Sequence, residues 1–326
     1  MFLIADYITN TKQFCQLKNS FLNKRFMHAH MLVYSDSFLL FEFSKLLATL
    51  IVSSDIDCKS ISYKKVQSGC HPDVMVIDNQ KGIMVDDIFK IVNTVNIKPL
   101  ESNNKVYIIQ NADTTNTQAQ NKLLKTLEEP PKNVFIILNV QNPSKILSTV
   151  TSRCNKTNIE LLDKQSICDI LKIKYGAENL QKILKCADLC EGKLGRALEL
   201  YEQENLLKIY DFVLDLFTNM KKSADVLKYS STIINSKENF NEIINFMLLI
   251  VRDMLLINSS ATQSVLQFSE SKQLKNVAEN FSNQALLHII DIIVVVQKNL
   301  SVNCNITAVT DMILMSILEE KYKWQK

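Results

Sequence analysis

The chain has 326 residues, of which 47% are hydrophobic and 22% charged, so it is long enough for two or three domains and apolar enough to give each one a core. This composition excludes an intrinsically disordered chain. The formal net charge of +3 does not indicate nucleic acid or an anionic membrane as a direct partner, because the basic residues are mixed with almost as many acidic ones.

The cysteines and the most apolar segments bear on the compartment. The eight cysteines show no pattern of closely spaced pairs, and the N-terminus lacks a basic segment followed by an apolar one, so we expect reduced thiols in a cytoplasmic protein. The segments 244–257 and 288–297 are interrupted by charged residues, well short of the ~20 apolar residues that a membrane helix needs. Both are therefore predicted to be core helices.

The first half of the sequence alternates between two hydrophobic periods. Short runs of β-branched and other apolar residues predict buried strands at 31–34, 74–77, 105–109 and 134–138. Stretches with helical spacing lie between them, which indicates repeated βαβ units and a parallel sheet covered on both faces. From about residue 160 onward the strand signals end, and long amphipathic helical patterns continue to the C-terminus.

The sequence NTQAQNKLLKTLEEPP at 116–131 predicts one well-bounded helix between the last two of these strands. Its apolar residues fall on a single helical stripe, and Asn116 or Thr117 can cap the start. Because a proline disfavours helical backbone in the residue before it, the helix should end before Pro130.

The place where an α/β fold binds phosphate carries no suitable residues here. A glycine-rich loop is expected after the first strand, but SDSFLLFEF at 35–43 has no glycine, and side chains as large as Leu40 and Phe41 would keep backbone amides away from a triphosphate. The third strand ends at Gln110 and Asn111, where Mg²⁺ would need carboxylate ligands. Both halves of a nucleotide site are therefore absent from the sequence.

The stretch 111–154 resembles the core of the gamma/tau/delta-prime family of bacterial DNA polymerase III clamp-loader subunits, which belong to the AAA+ superfamily. Its most specific elements are LLKTLEEPP at 123–131 and SRC at 152–154, which are separated by a strand and an NPSKIL loop. The resemblance extends over nearly the whole chain, since further segments follow in the family's order. These are SGCHPDVMVID at 68–78, VDDIFKIVNTVNIKPLESNNKVYII at 85–109, GKLGRALEL at 192–200 and NCNITAVTDMILMSI at 303–317.

The resemblance implies a subunit that does not hydrolyse ATP. Compared with the ATP-binding members, Leu40 and Phe41 stand where the P-loop lysine and threonine would be, and Gln110 and Asn111 replace the acidic Walker B residues. This degenerate site favours the delta-prime type of subunit, with no cofactor and no metal. The implied partners are the gamma/tau-type ATPases and the delta-type subunit of one hetero-oligomer, and through that complex the sliding clamp and primer-template DNA.

Arg153 of the SRC element is the candidate catalytic residue that the resemblance implies. In this family the arginine acts in trans as an arginine finger on a neighbour's ATP, where its planar charged fork can stabilise the transferred phosphoryl group. Ser152 and Cys154 are implied at the same interface. The alternative readings are a surface arginine in a weak ion pair and a cysteine that is simply a small buried side chain.

The implied fold has three parts. A degenerate α/β AAA+ (P-loop-NTPase-like) parallel-sheet domain at 1–158 precedes a small helical lid domain at 159–205 and an all-helical collar domain at 206–326. The collar is expected to join the partner subunits. The four-cysteine zinc module of some relatives is not expected, because its region offers only Cys58 and Cys70 as cysteines.

Two other functions remain open at this point. An active gamma/tau-type loader ATPase would require the glycine-lysine loop and the acidic strand end that this sequence lacks. A catalytically dead AAA+ interaction module outside replication is compatible with the residues, and a pull-down of polymerase III subunits would distinguish it from a loader subunit.

Overall fold

The structure is a computed structural model that describes residues 2–79, 82–160, 162–259, 271–299 and 305–323. The chain forms two compact units, the first made of Met1–Ala177 with Gly192–Arg196 and the second of Glu178–Glu191 with Ala197–Lys326. The division into lid and collar at residue 205 stays a prediction.

The first unit contains a five-stranded sheet. Its strands are β1 (Ala29–Val33), β2 (Val74–Ile77), β3 (Lys105–Ile109), β4 (Val134–Val140) and β5 (Asn155–Asn158). They lie in the order β2-β3-β4-β1-β5, and every neighbouring pair is parallel. The predicted parallel sheet is confirmed. The edge strand β5 has no counterpart among the predicted strands, because its sequence NKTN is polar and largely exposed.

Helices cover both faces of this sheet, as expected for parallel strands. The helices of the first unit are α1 (Phe2–Asn10), α2 (Lys12–Leu22), α3 (Ser37–Ser53), α4 (Ile61–Gln67), α5 (Val85–Thr94), α6 (Thr117–Glu128), α7 (Ser148–Thr151) and α8 (Lys164–Tyr175). On one face, α5, α6 and α7 share a core cluster with strand residues such as Met31, Tyr107 and Ile136. Helix α3 packs against β1, β3 and β4, and α1, α2 and α4 pack on α3.

The predicted bounds of α6 are confirmed by its caps. The Asn116 side chain accepts the backbone N–H of Ala119 at 2.8 Å, and the helix ends at Glu128, before the two prolines. Its apolar stripe, which includes Leu123 and Leu127, lies in the core cluster.

The second unit is built from helices. After α9 (Leu180–Leu189), the chain continues as α10 (Leu194–Glu202), whose first three residues belong to the first unit. It then forms α11 (Glu204–Asn219), α12 (Ser223–Asn235), α13 (Phe240–Asn258), α14 (Ser271–Ala278), α15 (Asn283–Asn299) and α16 (Ile306–Lys323). In the described part of the chain after β5, every regular element is a helix, as predicted. The apolar segments 244–257 and 288–297 lie within α13 and α15. None of the described helices combines the length and the apolar character that crossing a membrane requires.

Candidate functional site

The start of α3 forms the first part of the candidate site. The side chain of Asp36 caps the helix by accepting the N–H of Phe38 at 3.0 Å. Leu40 is buried, with 1% of its surface exposed, and the ring of Phe41 has the Nζ of Lys45 4.7 Å from its centroid. Leu40 and Phe41 thus carry apolar side chains that pack within the unit, and their correspondence to the P-loop lysine and threonine stays a prediction.

The ends of β3 and β4 supply amide side chains that bind the start of α3. Gln110 Nε2 donates to the carbonyl oxygen and to the Oγ of Ser37 at 2.9 and 2.7 Å, and this hydroxyl donates to Asn111 Oδ1 at 2.9 Å. Asn139 Nδ2, on β4, donates to Gln110 Oε1 at 2.6 Å and to Ser44 Oγ at 2.9 Å. We call these five residues the amide corner.

The chemistry of the amide corner differs from that of a metal site. Amide side chains carry no net charge, so they cannot supply the anionic oxygens that Mg²⁺ prefers. Within the described residues, no group of three or more His, Cys, Asp or Glu side chains is placed to hold a metal ion. The amide corner instead uses its amide donors and the acceptors of Gln110 and Asn111 to connect two strand ends with a helix, while Asn139 Oδ1 is buried without a partner among the described residues.

Arg153 lies between α7 and β5, and its contacts are with the ends of α6 and α7. Its Nη2 lies 2.7 Å from Glu128 Oε1, and its Nη1 donates to the carbonyl oxygen of Thr149 at 2.8 Å. The side chains of Arg153 and Glu128 are 36% and 48% exposed. Because solvent screens such a pair, it is typically worth only about 0.2–1 kcal/mol, and another anion could replace Glu128 at low cost.

The two neighbours of Arg153 have different surroundings. Ser152 is exposed, and its Oγ donates to the carbonyl oxygen of Thr149 at 3.1 Å. Cys154 is 9% exposed and belongs to the core cluster, where burial raises the pKa of its thiol to about 12. Cys154 therefore packs as a neutral apolar side chain in the described unit, and the interface roles of Ser152 and Cys154 stay predictions.

Gln120 is a positioning residue that the sequence patterns above do not single out. Its Oε1 accepts the N–H of Leu147 at 2.8 Å, and its Nε2 donates to the carbonyl oxygens of Thr115 and Lys145, both at 3.0 Å. The side chain is 5% exposed. Gln120 therefore fixes the loop before α7, the element that leads to Arg153. The only sequence feature that could have indicated this role is the position of Gln120 beside the apolar stripe of α6.

Cys58, Cys70 and His71 lie in the region where the sequence predicts no zinc module. Cys70 is exposed and Cys58 is partly exposed. His71 is 4% exposed, and its Nδ1 accepts the N–H of Asp73 at 3.2 Å, so its ring belongs to the turn before β2.

Comparison with known proteins finds one family model and several relatives that are similar to this chain. The family model described as DNA polymerase III, delta subunit, matches residues 9–163. The tau subunit of DNA polymerase III from Bacillus subtilis is 27% identical over 88% of this chain and 55% of its own length. The delta-prime subunit from the same organism is 24% identical over 78% of this chain and 79% of its own length.

The chain spans about half, or less, of the length of the tau and gamma relatives that it matches. Among solved structures, a DNA polymerase III gamma subunit-related protein from Thermotoga maritima matches 95% of this chain and 100% of its own chain. It does so with a TM-score of 0.47 and 20% identity.

Proposed function

Because the chain belongs to the family of bacterial DNA polymerase III clamp-loader subunits, we propose that it is a non-hydrolysing subunit of the delta-prime type. It assists the loading of a sliding clamp at primer-template DNA, and it supplies Arg153 to the ATP site of a neighbouring subunit. It acts in the cytoplasm within a hetero-oligomer of gamma/tau-type and delta-type partners.

The observation that carries this proposal is the amide corner. A nucleotide site at the carboxyl ends of the strands would need room for phosphates, amide donors free to reach them and carboxylates for the metal. Here Gln110 and Asn139 are engaged with α3, and Leu40 is part of the core. These contacts support a subunit that holds its fold without nucleotide.

The surroundings of Arg153 support a role outside its own chain. A catalytic arginine that acts in trans must be accessible and must be able to leave its resting partner. The 36% exposure of Arg153 and its screened pair with Glu128 meet both conditions. The three-domain division, with a collar at 206–326 that joins the partners, belongs to the same proposal.

Nucleotide binding separates this proposal from an active gamma/tau-type ATPase. Calorimetric titration of the full chain with ATP and with ADP in the presence of Mg²⁺ should give no binding at micromolar affinity. Measured micromolar binding would contradict the non-hydrolysing assignment.

Reconstitution tests the loader role itself. Arg153→Ala should leave the chain folded and assembled, while the ATPase of the complex falls partially. One site loses an arginine that can be worth ~10³-fold there, and the other sites keep theirs. Arg153→Lys should rescue poorly, because an ammonium lacks the planar fork. Arg25→Ala, at another exposed arginine, is the matched control. A fully assembled Arg153→Ala complex with unchanged hydrolysis would remove the finger from the proposal.

Failure to assemble at all would favour the dead interaction module outside replication. A pull-down with the full chain, which reports the partners without requiring any ATPase activity, distinguishes that outcome from the loss of the finger alone.

A further inference from the structure

The carboxylate of Asp36 joins two segments that lie far apart in the sequence. Its Oδ1 accepts the N–H of Phe38 at the start of α3 at 3.0 Å, and its Oδ2 accepts the N–H of Gly195 at the start of α10 at 2.7 Å. Asp36 is 6% exposed, so both hydrogen bonds are shielded from solvent. One buried carboxylate thus binds one backbone donor two positions away and a second donor 159 positions away.

The approach of the second segment is so close that it requires a glycine. A Cβ at position 195 would lie 2.6 Å from Asp36 Oδ1 and 2.7 Å from Phe38 Cβ, both far inside van der Waals contact. The same segment is held at a second point, since the hydroxyl of Tyr34 donates to the carbonyl oxygen of Gly192 at 2.8 Å. Residues 192–196 therefore lie directly over the start of α3, within the first unit.

The position of the carboxylate has a general electrostatic meaning. The first amides of a helix that follows the first strand of an α/β sheet carry partial positive charge and are the usual place for a bound phosphate. Burial raises the pKa of Asp36, and the N–H groups of Gly195 and Phe38 together with the charge of Lys193 oppose that rise. An anion that belongs to the chain therefore occupies the place of a bound one.

We propose that Asp36 is a built-in anion that holds residues 192–196 over the start of α3 and keeps this segment closed in the absence of nucleotide. Asp36 is a positioning residue in this role, because it acts through the segment that it holds. The inference goes beyond the proposed loader function, since it concerns the chain alone and holds whatever complex the chain joins.

Asp36→Ser separates the two functions of the carboxylate. Serine is as good a helix cap as aspartate, but its single short oxygen cannot accept from Phe38 and Gly195 together. Hydrogen exchange of the full chain should therefore show unchanged protection in the first turn of α3 and about tenfold faster exchange at the Gly195 amide, the effect of losing one charge-assisted hydrogen bond. Equal exchange at Gly195 in both proteins would overturn the proposal.

Two further proteins complete the experiment. Gly195→Ala approaches the same contact from the other side and should accelerate exchange across 192–196. Asn116→Ala removes the cap of α6 and should leave that segment unchanged, because the Asn116 oxygen binds only the start of its own helix among the described residues. If Asn116→Ala accelerated exchange at 192–196 as much as Asp36→Ser does, the effect would come from a general loss of stability. That result would refute the proposal that Asp36 holds this segment.

The last part of the experiment measures the same hydrogen exchange in the presence of nucleotide. Millimolar ATP with Mg²⁺ should leave exchange at 192–196 of the unmodified chain unchanged, because Asp36 already occupies the anion position. If ATP changes the protection of this segment, the segment responds to nucleotide and the proposed role of Asp36 is wrong.

Discussion

The amide corner and the surroundings of Arg153 belong to the same unit but differ in how their polar groups are held. Asn139 of the amide corner is fully buried, and its contacts are hydrogen bonds between neutral groups. Arg153 is partly exposed, and its contacts are a screened ion pair with Glu128, a backbone carbonyl and the hydroxyl of Ser152. Folding therefore fixes the first region once, whereas the second can exchange its partner after folding.

The largest test of this comparison places a charge in the amide corner. In Gln110→Glu, a carboxylate oxygen would replace the amide donor that now lies 2.9 Å from the carbonyl oxygen of Ser37. The repulsion and the buried charge should lower the free energy of unfolding by about 3 kcal/mol. Gln118→Glu, at an exposed position in the first turn of α6, should be neutral or slightly stabilising. Denaturant unfolding measures the stability of both variants. Equal stabilities would show that the amide corner accepts a charge as easily as an exposed position does.

The next test concerns the support of Arg153. Gln120→Ala removes one partner from two backbone carbonyls and one N–H in a buried position, which should cost about 2 kcal/mol. Gln118→Ala removes an exposed glutamine from the same helix and should cost less than about 0.5 kcal/mol. Thermal unfolding measures the stability of the two variants. Equal stabilities would contradict the role assigned to Gln120.

A buried carboxylate in the second unit shows what the amides avoid. Asp253, on α13, is fully buried, with Oδ1 3.3 Å from Arg252 and with Oδ2 unpaired among the described residues. Burial raises its pKa from the ordinary 3.8 to about 6, against the opposing charge of Arg252. The folded protein therefore retains a proton that the unfolded chain loses, so stability from this group falls as the pH rises from about 4 to 6.

Asp253→Asn should accordingly stabilise the protein at pH 7 by about 1–2 kcal/mol and reduce the loss of stability between pH 4 and 6. Asp291→Asn, at an exposed position on α15, should change neither quantity. Unfolding curves recorded across this pH range decide the matter, and a destabilised Asp253→Asn protein at pH 7 would mean that the charged form is the favourable one.

The smallest effect on stability is expected at the exposed ion pair of Arg153 with Glu128. Glu128→Gln should change the free energy of unfolding by less than about 0.5 kcal/mol, because solvent screens the pair with Arg153. A reconstituted complex should keep its ATPase. A loss of stability close to that of Gln110→Glu would show that the guanidinium is held as firmly as the amide corner.

The sequence predicted the fold where the hydrophobic pattern is strong. Four strands and the bounds of α6 follow from apolar runs, a cap and two prolines, all of which are local features. The polar edge strand β5 has no such signal, since its position is set by pairing with β1. Local pattern therefore identified the core of the sheet and missed its edge.

The candidate site was predictable in composition and not in geometry. The sequence shows two amides, Gln110 and Asn111, at the end of a strand, but it does not show their hydrogen bonds to Ser37, which join residues more than 70 positions apart. Asp36 looks like an ordinary helix cap in the sequence, and its second partner, Gly195, appears only after folding. Long-range hydrogen bonds of this kind produce no periodic pattern in the sequence.

The path of the chain through residues 192–196 also bears on how the protein folds. The chain leaves the first unit at residue 178, returns for five residues and leaves again at residue 197, so neither unit is a continuous stretch of sequence. The carboxylate of Asp36 obtains its second donor only after α9 has been synthesised and the chain has returned. A fragment that ends at residue 177 would expose this carboxylate and the start of α3. We therefore expect the last step in folding the first unit to wait for residues 192–196, which are synthesised after α9.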